Sequence, residues 1–242
     1  MLLPGTLCDE TLWAPMLARD AALAARARPA PLEGRSVAEA IGILSPQLPR
    51  RFAVAGFSLG AIVALELARL LPERVAGLCL IAGNGRAVPP GQAPARRDAL
   101  RAARVEGLAN YVREQLWPRY VAAAARDDAL MREHVVAMAE RAGMERYGDQ
   151  IEIAINRRDN LSALAGLPQP ALIVGGAHDA INPPELQREM ADGIPGAELH
   201  MVGRAGHFVP LEAPDELATA VANWLRCCSG TGRETSNHQD TK

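Results

Sequence analysis

Residues 51–69 carry a pattern that leaves little freedom to the fold. Phe52 to Ala55 is a short apolar run of strand length, and from Leu59 apolar residues recur at helical spacing through Ile62, Val63, Leu65 and Leu67. Between strand and helix stands Gly56-Phe57-Ser58-Leu59-Gly60. A strand that turns sharply into a helix crowds two backbones together, and Gly56 and Gly60 supply side-chain-free positions on either side of Ser58. The turn leaves the serine hydroxyl at a helix N-terminus, where unpaired N–H groups and the positive end of the helix dipole favour negative charge. Taken alone, the pentapeptide also fits an ordinary strand-helix loop. The strand before it and the helix after it favour the reading as a nucleophile elbow.

Strands and helices alternate on both sides of this turn. Met1-Leu2-Leu3 ends a strand that Pro4-Gly5 closes, and Asp9 is placed to cap a helix through Leu12, Trp13, Met16 and Leu17. Pro29 to Leu32 reads as a weak strand, and Ser36 with Glu39 forms a capping-box pattern ahead of Val37, Ile41 and Leu44. Arg74 to Ala82, Ala171 to Gly176 and Ala197 to Val202 are further strands. The first two of these are nearly continuous apolar runs, as in a parallel sheet covered on both faces. The alternation predicts an α/β fold with a doubly wound, mostly parallel sheet. From about 90 to 160 the pattern changes to Ala-, Arg- and Glu-rich helical sequence without a convincing strand. We read residues 1–89 and 161–226 as the core, 90–160 as a helical lid inserted over the sheet, and 227–242 as a polar, disordered tail.

Composition excludes several chemistries. The 242 residues carry a formal charge of −2, so no basic surface for nucleic acid is indicated. No apolar run approaches membrane-spanning length, and the N-terminus lacks the pattern of a signal peptide, which points to a cytoplasmic protein with no membrane partner. Cys8, Cys79, Cys227 and Cys228 show neither zinc-site nor disulfide-framework spacing, and no metal or cofactor is expected. Lys242 is the only lysine, which removes a Walker lysine, a Schiff-base lysine and a Ser-Lys dyad from the folded body. Gly83-Asn84-Gly85 imitates a dinucleotide fingerprint, but it lacks the third glycine, and Pro89-Pro90 blocks the helix that would receive a pyrophosphate.

In an open α/β sheet functional groups gather at the C-terminal ends of strands, and Ser58, Asp179 and His207 all occupy such positions. A serine hydroxyl needs a base to accept its proton during attack. His207 fits that role, and an ionised Asp179 would fix its tautomer and stabilise the imidazolium. Backbone N–H groups of Leu59 and of the early loop, at Thr6 or Leu7, are placed to hold an oxyanion. His178 adjoins Asp179 in one loop and is badly placed to reach Ser58, while His134, His200 and His238 read as structural. Cys8 has no activating His or Asn in its neighbourhood. Leu7, Phe57, Tyr111, Trp117, Tyr120 and Phe208 are candidates for a substrate pocket, although the lid aromatics fit equally well as packing between helices. Asn156-Arg157-Arg158-Asp159 reads as a solvated charge run or as a guanidinium near the site.

Leu3-Pro4-Gly5, Gly56-Phe57-Ser58-Leu59-Gly60, Gly176-Ala177-His178-Asp179 and Gly206-His207 together resemble the α/β-hydrolase superfamily, over nearly the whole chain up to about Leu225. The likeness is to the small bacterial branch of pimeloyl-ester esterases and enol-lactonases. It implies an α/β-hydrolase fold with Ser58 as nucleophile, Asp179 as acid, His207 as base and the Thr6 and Leu59 backbone as oxyanion hole. The chain departs from the common pattern in having Pro4 where a histidine usually precedes the glycine, and in lacking the customary N-terminal hairpin strands, which implies a reduced sheet. The function expected is a cofactor-independent serine hydrolase acting on a small-molecule carboxylic ester, lactone or thioester. A C–C bond hydrolase or cofactor-free peroxidase with the same triad, or a non-catalytic ligand-binding scaffold of the same fold, are the alternatives.

Overall fold

The structure, a computed structural model, describes residues 1–89 and 91–230, the last two of these by their backbone only. Pro90 and residues 231–242, with His238 and Lys242, lie outside it. Five strands, β1 (Leu2–Leu3), β2 (Phe52–Phe57), β3 (Val75–Ile81), β4 (Ala171–Gly176) and β5 (Glu198–Val202), form one parallel sheet in chain order. The main helices are α1 (Val37–Leu44), α2 (Leu59–Leu70), α3 (Gln92–Glu106), α4 (Ala129–Ile155), α5 (Pro184–Gly193) and α6 (Pro214–Gly230).

Side chains along β1 to β4 alternate between two apolar layers, while β5 buries only Val202. Val54, Leu78, Leu80 and Ile173 face a layer that includes residues of α1, α2 and α5. Ala55, Phe57, Cys79, Ile81 and Val174 face one containing Leu12, Trp13 and Met16 together with Leu217, Val221 and Trp224 of α6. The doubly wound sheet is therefore covered on both sides, which is why its central strands are apolar throughout. No helix among the described residues is long and apolar enough to cross a membrane.

The path of the chain explains where a site can form. From β1 the backbone moves outward to an isolated parallel bridge between Leu2 and Pro29, secured by Leu2 N–H to the Arg28 carbonyl at 2.9 Å and Ala30 N–H to the Leu2 carbonyl at 3.0 Å. It then crosses back to β2 on the other side of β1 and continues to β3. The direction of travel reverses between β1 and β2, which opens a crevice beyond their C-terminal ends. The segment read as a strand from Pro29 to Leu32 is thus a single bridge, because Pro29 and Pro31 have no N–H to donate to a ladder.

Between β3 and β4 the described elements of regular structure are helical. α3 is followed by short helical turns through Tyr120, one of them a π turn at Val112–Leu116, and then by α4, which breaks at Gly143 with φ at 79°. Tyr111, Met138, Tyr147 and Ile151 of this segment join the same apolar cluster as Phe57 and Phe208. At the other end of the chain, residues 227–230, expected in the tail, are helical, and the rest of that expected tail lies outside the described residues. α6 runs to Gly230, because Trp224 and Cys228 are buried against Gly77 of β3 and hold the last turns on the sheet.

Candidate active site

Ser58 lies between β2 and α2 in a left-handed conformation, φ 52° and ψ −110°, that a residue with a Cβ adopts only under constraint. The constraint is visible in the packing. A Cβ on Gly56 would overlap the Gly60 carbonyl, and one on Gly60 would overlap the Leu3 carbonyl, so strand, helix and β1 meet without side chains between them. Ser58 N–H donates to the Ile81 carbonyl at 2.8 Å, which fixes the turn to β3. Leu7 (φ 59°) and Ala82 (φ 48°) are the other non-glycine residues with positive φ among those described, and both stand in loops that leave the same sheet edge.

His207 reaches Ser58 from the loop after β5, and Asp179 reaches His207 from the loop after β4. His207 Nε2 lies 2.9 Å from Ser58 Oγ, and His207 Nδ1 lies 2.8 Å from Asp179 Oδ2. Both His207 and Asp179 are buried. The second carboxylate oxygen, Oδ1, accepts the N–H of Ile181 at 2.7 Å and of Asn182 at 2.9 Å. Asn182 is held in turn, its amide donating to the Ala82 carbonyl at 2.7 Å and accepting from Asn84 Nδ2 at 2.6 Å. Asn84, in the stretch that imitates a dinucleotide fingerprint, therefore serves to hold the loop that carries Asp179.

The imidazole is enclosed by rings: Phe57 at 5.1 Å, Tyr120 at 6.0 Å and Phe208 at 6.1 Å between centroids. Its backbone is tied to the helical segment, with His207 N–H donating to the Tyr120 carbonyl at 2.8 Å. Glu212 Oε2 accepts the N–H of Gly206 at 2.9 Å and of Ala122 at 2.8 Å, joining the two loops a second time. Burial pushes the Glu212 carboxyl above its ordinary value, against the pull of these backbone donors. His178 is exposed, and it is His207 that meets Ser58. Cys8 is buried, and burial raises its thiol far above the thiolate range, so it holds no nucleophile.

The loop after β1 approaches Ser58 closely: a Cβ on Gly5 would lie 3.3 Å from the serine Cβ and 2.8 Å from the Phe57 ring. Leu7 N–H is taken by Gln150 Oε1 at 2.8 Å, which leaves the Thr6 N–H as the donor this loop can present beside that of Leu59. Gln150 is almost wholly buried on α4, and nothing in the sequence marks it, since its partner is 143 residues away.

A cavity of about 460 Å³ opens onto Ser58 and His207. Phe57, Tyr111, Tyr120 and Phe208 line it, as does Thr6. Leu7 and Trp117 do not. Leu7 faces the core, and Trp117 is buried with its indole N–H bonded to the Arg126 carbonyl at 2.9 Å, so it holds the helical segment together. The cavity wall includes Arg96, Arg119 and Tyr147, which sequence reasoning missed. An arginine that lines a cavity looks the same in sequence as the many in this stretch that do not. Of the charge run at 156–159, Arg157 is buried rather than solvated, donating to the carbonyls of Arg86 at 2.7 Å and Ala154 at 3.2 Å. Among the described residues, no group of three or more His, Cys, Asp or Glu is arranged to hold a metal ion.

Comparison with known proteins adds an independent line. The model of the alpha/beta hydrolase family matches residues 2–220. The biotin biosynthesis bifunctional protein BioHC of Cellvibrio japonicus is 26% identical over 93% of this chain and 47% of its own length, so the chain spans about half of that relative. The pimeloyl-[acyl-carrier protein] methyl ester esterase of Aromatoleum aromaticum is 30% identical, over 76% of this chain and 77% of that protein. Among solved structures, a thermophilic esterase from Thermogutta terrifontis superposes with a TM-score of 0.82 at 25% identity, covering 94% of this chain and 89% of that one.

Proposed function

The chain belongs to the alpha/beta hydrolase family, and on that premise we propose that it cleaves a carboxylic ester, or a lactone or thioester, through an acyl-enzyme on Ser58. The observation that carries this reading is the hydrogen-bonded line from Ser58 Oγ through His207 to Asp179, at 2.9 Å and 2.8 Å, at the mouth of a cavity.

In this mechanism Ser58 Oγ attacks the scissile carbonyl carbon while His207 Nε2 takes the hydroxyl proton. The ionised Asp179 accepts the Nδ1 proton in a hydrogen bond, so that Nε2 is the free base and the imidazolium has a counter-charge. The oxyanion is held by the N–H groups of Leu59 and Thr6, each worth about 3 to 4 kcal/mol in the transition state. Collapse of the tetrahedral intermediate breaks the bond to the leaving oxygen or sulfur, which takes the proton from His207. Water then enters, loses a proton to His207 and releases the acid by the reverse sequence. Residues 90–160 act as a lid that screens the reaction from bulk water and shapes the acyl site.

Ser58→Ala is expected to lower turnover of a p-nitrophenyl ester by about a millionfold with the fold intact. A fluorophosphonate probe is expected to label the wild-type protein at Ser58. Retention of most activity in Ser58→Ala, or absence of labelling in an active wild type, removes the proposal.

A further inference from the structure

The cavity over Ser58 carries an imbalance of charge. Arg96 and Arg119 line it, and among the described residues no aspartate or glutamate does. Other arginines of the helical segment close on carboxylates: Arg97 on Glu152 at 2.9 Å, Arg113 on Glu133 at 2.6 Å and Arg141 on Asp9 at 2.6 Å. Neither the half-buried Arg96 nor the exposed Arg119 forms an ion pair or hydrogen bond within the described residues, and Arg96 Nε is shut off from solvent without an acceptor. A buried guanidinium N–H without a partner is costly, so its retention calls for an acceptor from elsewhere.

Three phenols stand with these cations. Tyr111 and Tyr147 hydrogen-bond one another, Arg96 acts on Tyr147, and Arg119 acts on Tyr111 and Tyr120. Burial keeps all three phenols protonated, so they offer O–H donors rather than charge. Glu106, the carboxylate that acts on Tyr111, is exposed and does not line the cavity. Arg157 adds to the same field. Its guanidinium rests on backbone carbonyls, and burial together with the charge of Arg96 holds its pKa down to about 10. Two arginines on the wall of a cavity that no described carboxylate lines form a site suited to an anion.

We propose that the substrate carries a carboxylate at the end remote from the bond cleaved, gripped by Arg96 and Arg119 beside the Tyr111–Tyr147 pair. The planar guanidinium fork matches a carboxylate, and a cavity of about 460 Å³ suits a small half-ester or carboxylated lactone rather than a long acyl chain. The position of the scissile bond rests on the ester-hydrolase reading given above; the anion site is tested apart from it.

The first test is calorimetric titration with adipate, and with its neutral counterpart adipamide. Adipate is expected to bind at least tenfold more tightly than adipamide, with an advantage that shrinks as sodium chloride is raised. Arg96→Gln is expected to remove most of that advantage and Arg96→Lys to retain part of it, with melting curves reporting whether each variant is folded. Should Arg96→Gln fail to fold, Arg119→Gln replaces it. Equal binding of adipate and adipamide, or no loss of the advantage in the folded variants, overturns the proposal. So does inorganic phosphate binding more tightly than adipate. The second test compares kcat/KM for mono-p-nitrophenyl adipate with that for its methyl ester. A preference of tenfold or more for the acid, seen in KM and falling towards one in Arg96→Gln, supports the proposal. Ser58-dependent cleavage of both esters without preference overturns the anion site and leaves the hydrolase reading standing. Tight adipate binding through Arg96 with no cleavage of either ester does the reverse.

Discussion

Replacing Asp179 by asparagine tests the site with almost no change of shape, and the hydrogen bonds around the carboxylate determine the outcome. Oδ1 accepts two backbone N–H groups, from Ile181 and Asn182, while Oδ2 faces His207 Nδ1 alone. In Asp179→Asn the amide oxygen must keep the Oδ1 place. The opposite orientation would set an NH₂ group against two N–H donors and leave both unpaired in a buried position, at about 1 to 3 kcal/mol each. The NH₂ group is therefore directed at Nδ1 and forces it to become the acceptor. The ring proton moves to Nε2, the atom 2.9 Å from Ser58 Oγ, and the imidazole then donates to the serine when it should accept from it. Turnover of a p-nitrophenyl ester is expected to fall about ten-thousandfold, equivalent to roughly 5.5 kcal/mol of activation free energy. Because the Oδ1 bonds survive, the melting temperature should stay within about 5 °C of wild type. A folded variant retaining a tenth or more of wild-type turnover refutes the assignment of His207 as a base oriented by Asp179.

Gln150→Leu keeps the side chain's bulk and removes the acceptor of Leu7 N–H, which leaves a buried donor unpaired beside the Thr6 amide. Steady-state kinetics should show kcat reduced about 10- to 100-fold with KM little changed, as when a displaced loop weakens a hydrogen bond made only in the transition state; an unaltered kcat would detach Gln150 from the oxyanion site. Glu212→Gln tests the tie between the His207 loop and the helical segment. Its carboxyl sits above the ordinary value of 4.5, so the native state holds this proton more tightly than the unfolded chain. The stability contributed by protonation is complete below the carboxylate range and is lost as pH rises through the raised pKa. Melting of the two proteins at pH 4 and pH 8 should accordingly show Glu212→Gln gaining on wild type at the higher pH; a gap independent of pH, or one that moves the other way, contradicts the burial of that charge.

The parts of this protein legible in its sequence are those set by neighbours along the chain. Gly56 and Gly60 are needed wherever a strand folds sharply back into a helix, and the apolar runs at β3 and β4 follow from a sheet covered on both faces. Both are local demands of sterics and periodicity, and they were sufficient to indicate the parallel sheet and the places of Ser58, Asp179 and His207 at its edge. The same reasoning misplaced Leu7 and Trp117 and ended α6 early, because which side of a turn faces a cavity, and what a last helical turn packs on, depends on partners elsewhere in the chain. Gln150 meets Leu7 across 143 residues, and Glu212 meets Ala122 across 90. Arg96 and Arg119 differ from neighbouring arginines only in that the folded backbone sets them along the cavity wall. Tertiary structure alone decides such pairings, since a hydrogen bond or an unmatched charge is fixed by distance in space, and composition and spacing along a chain carry no record of it.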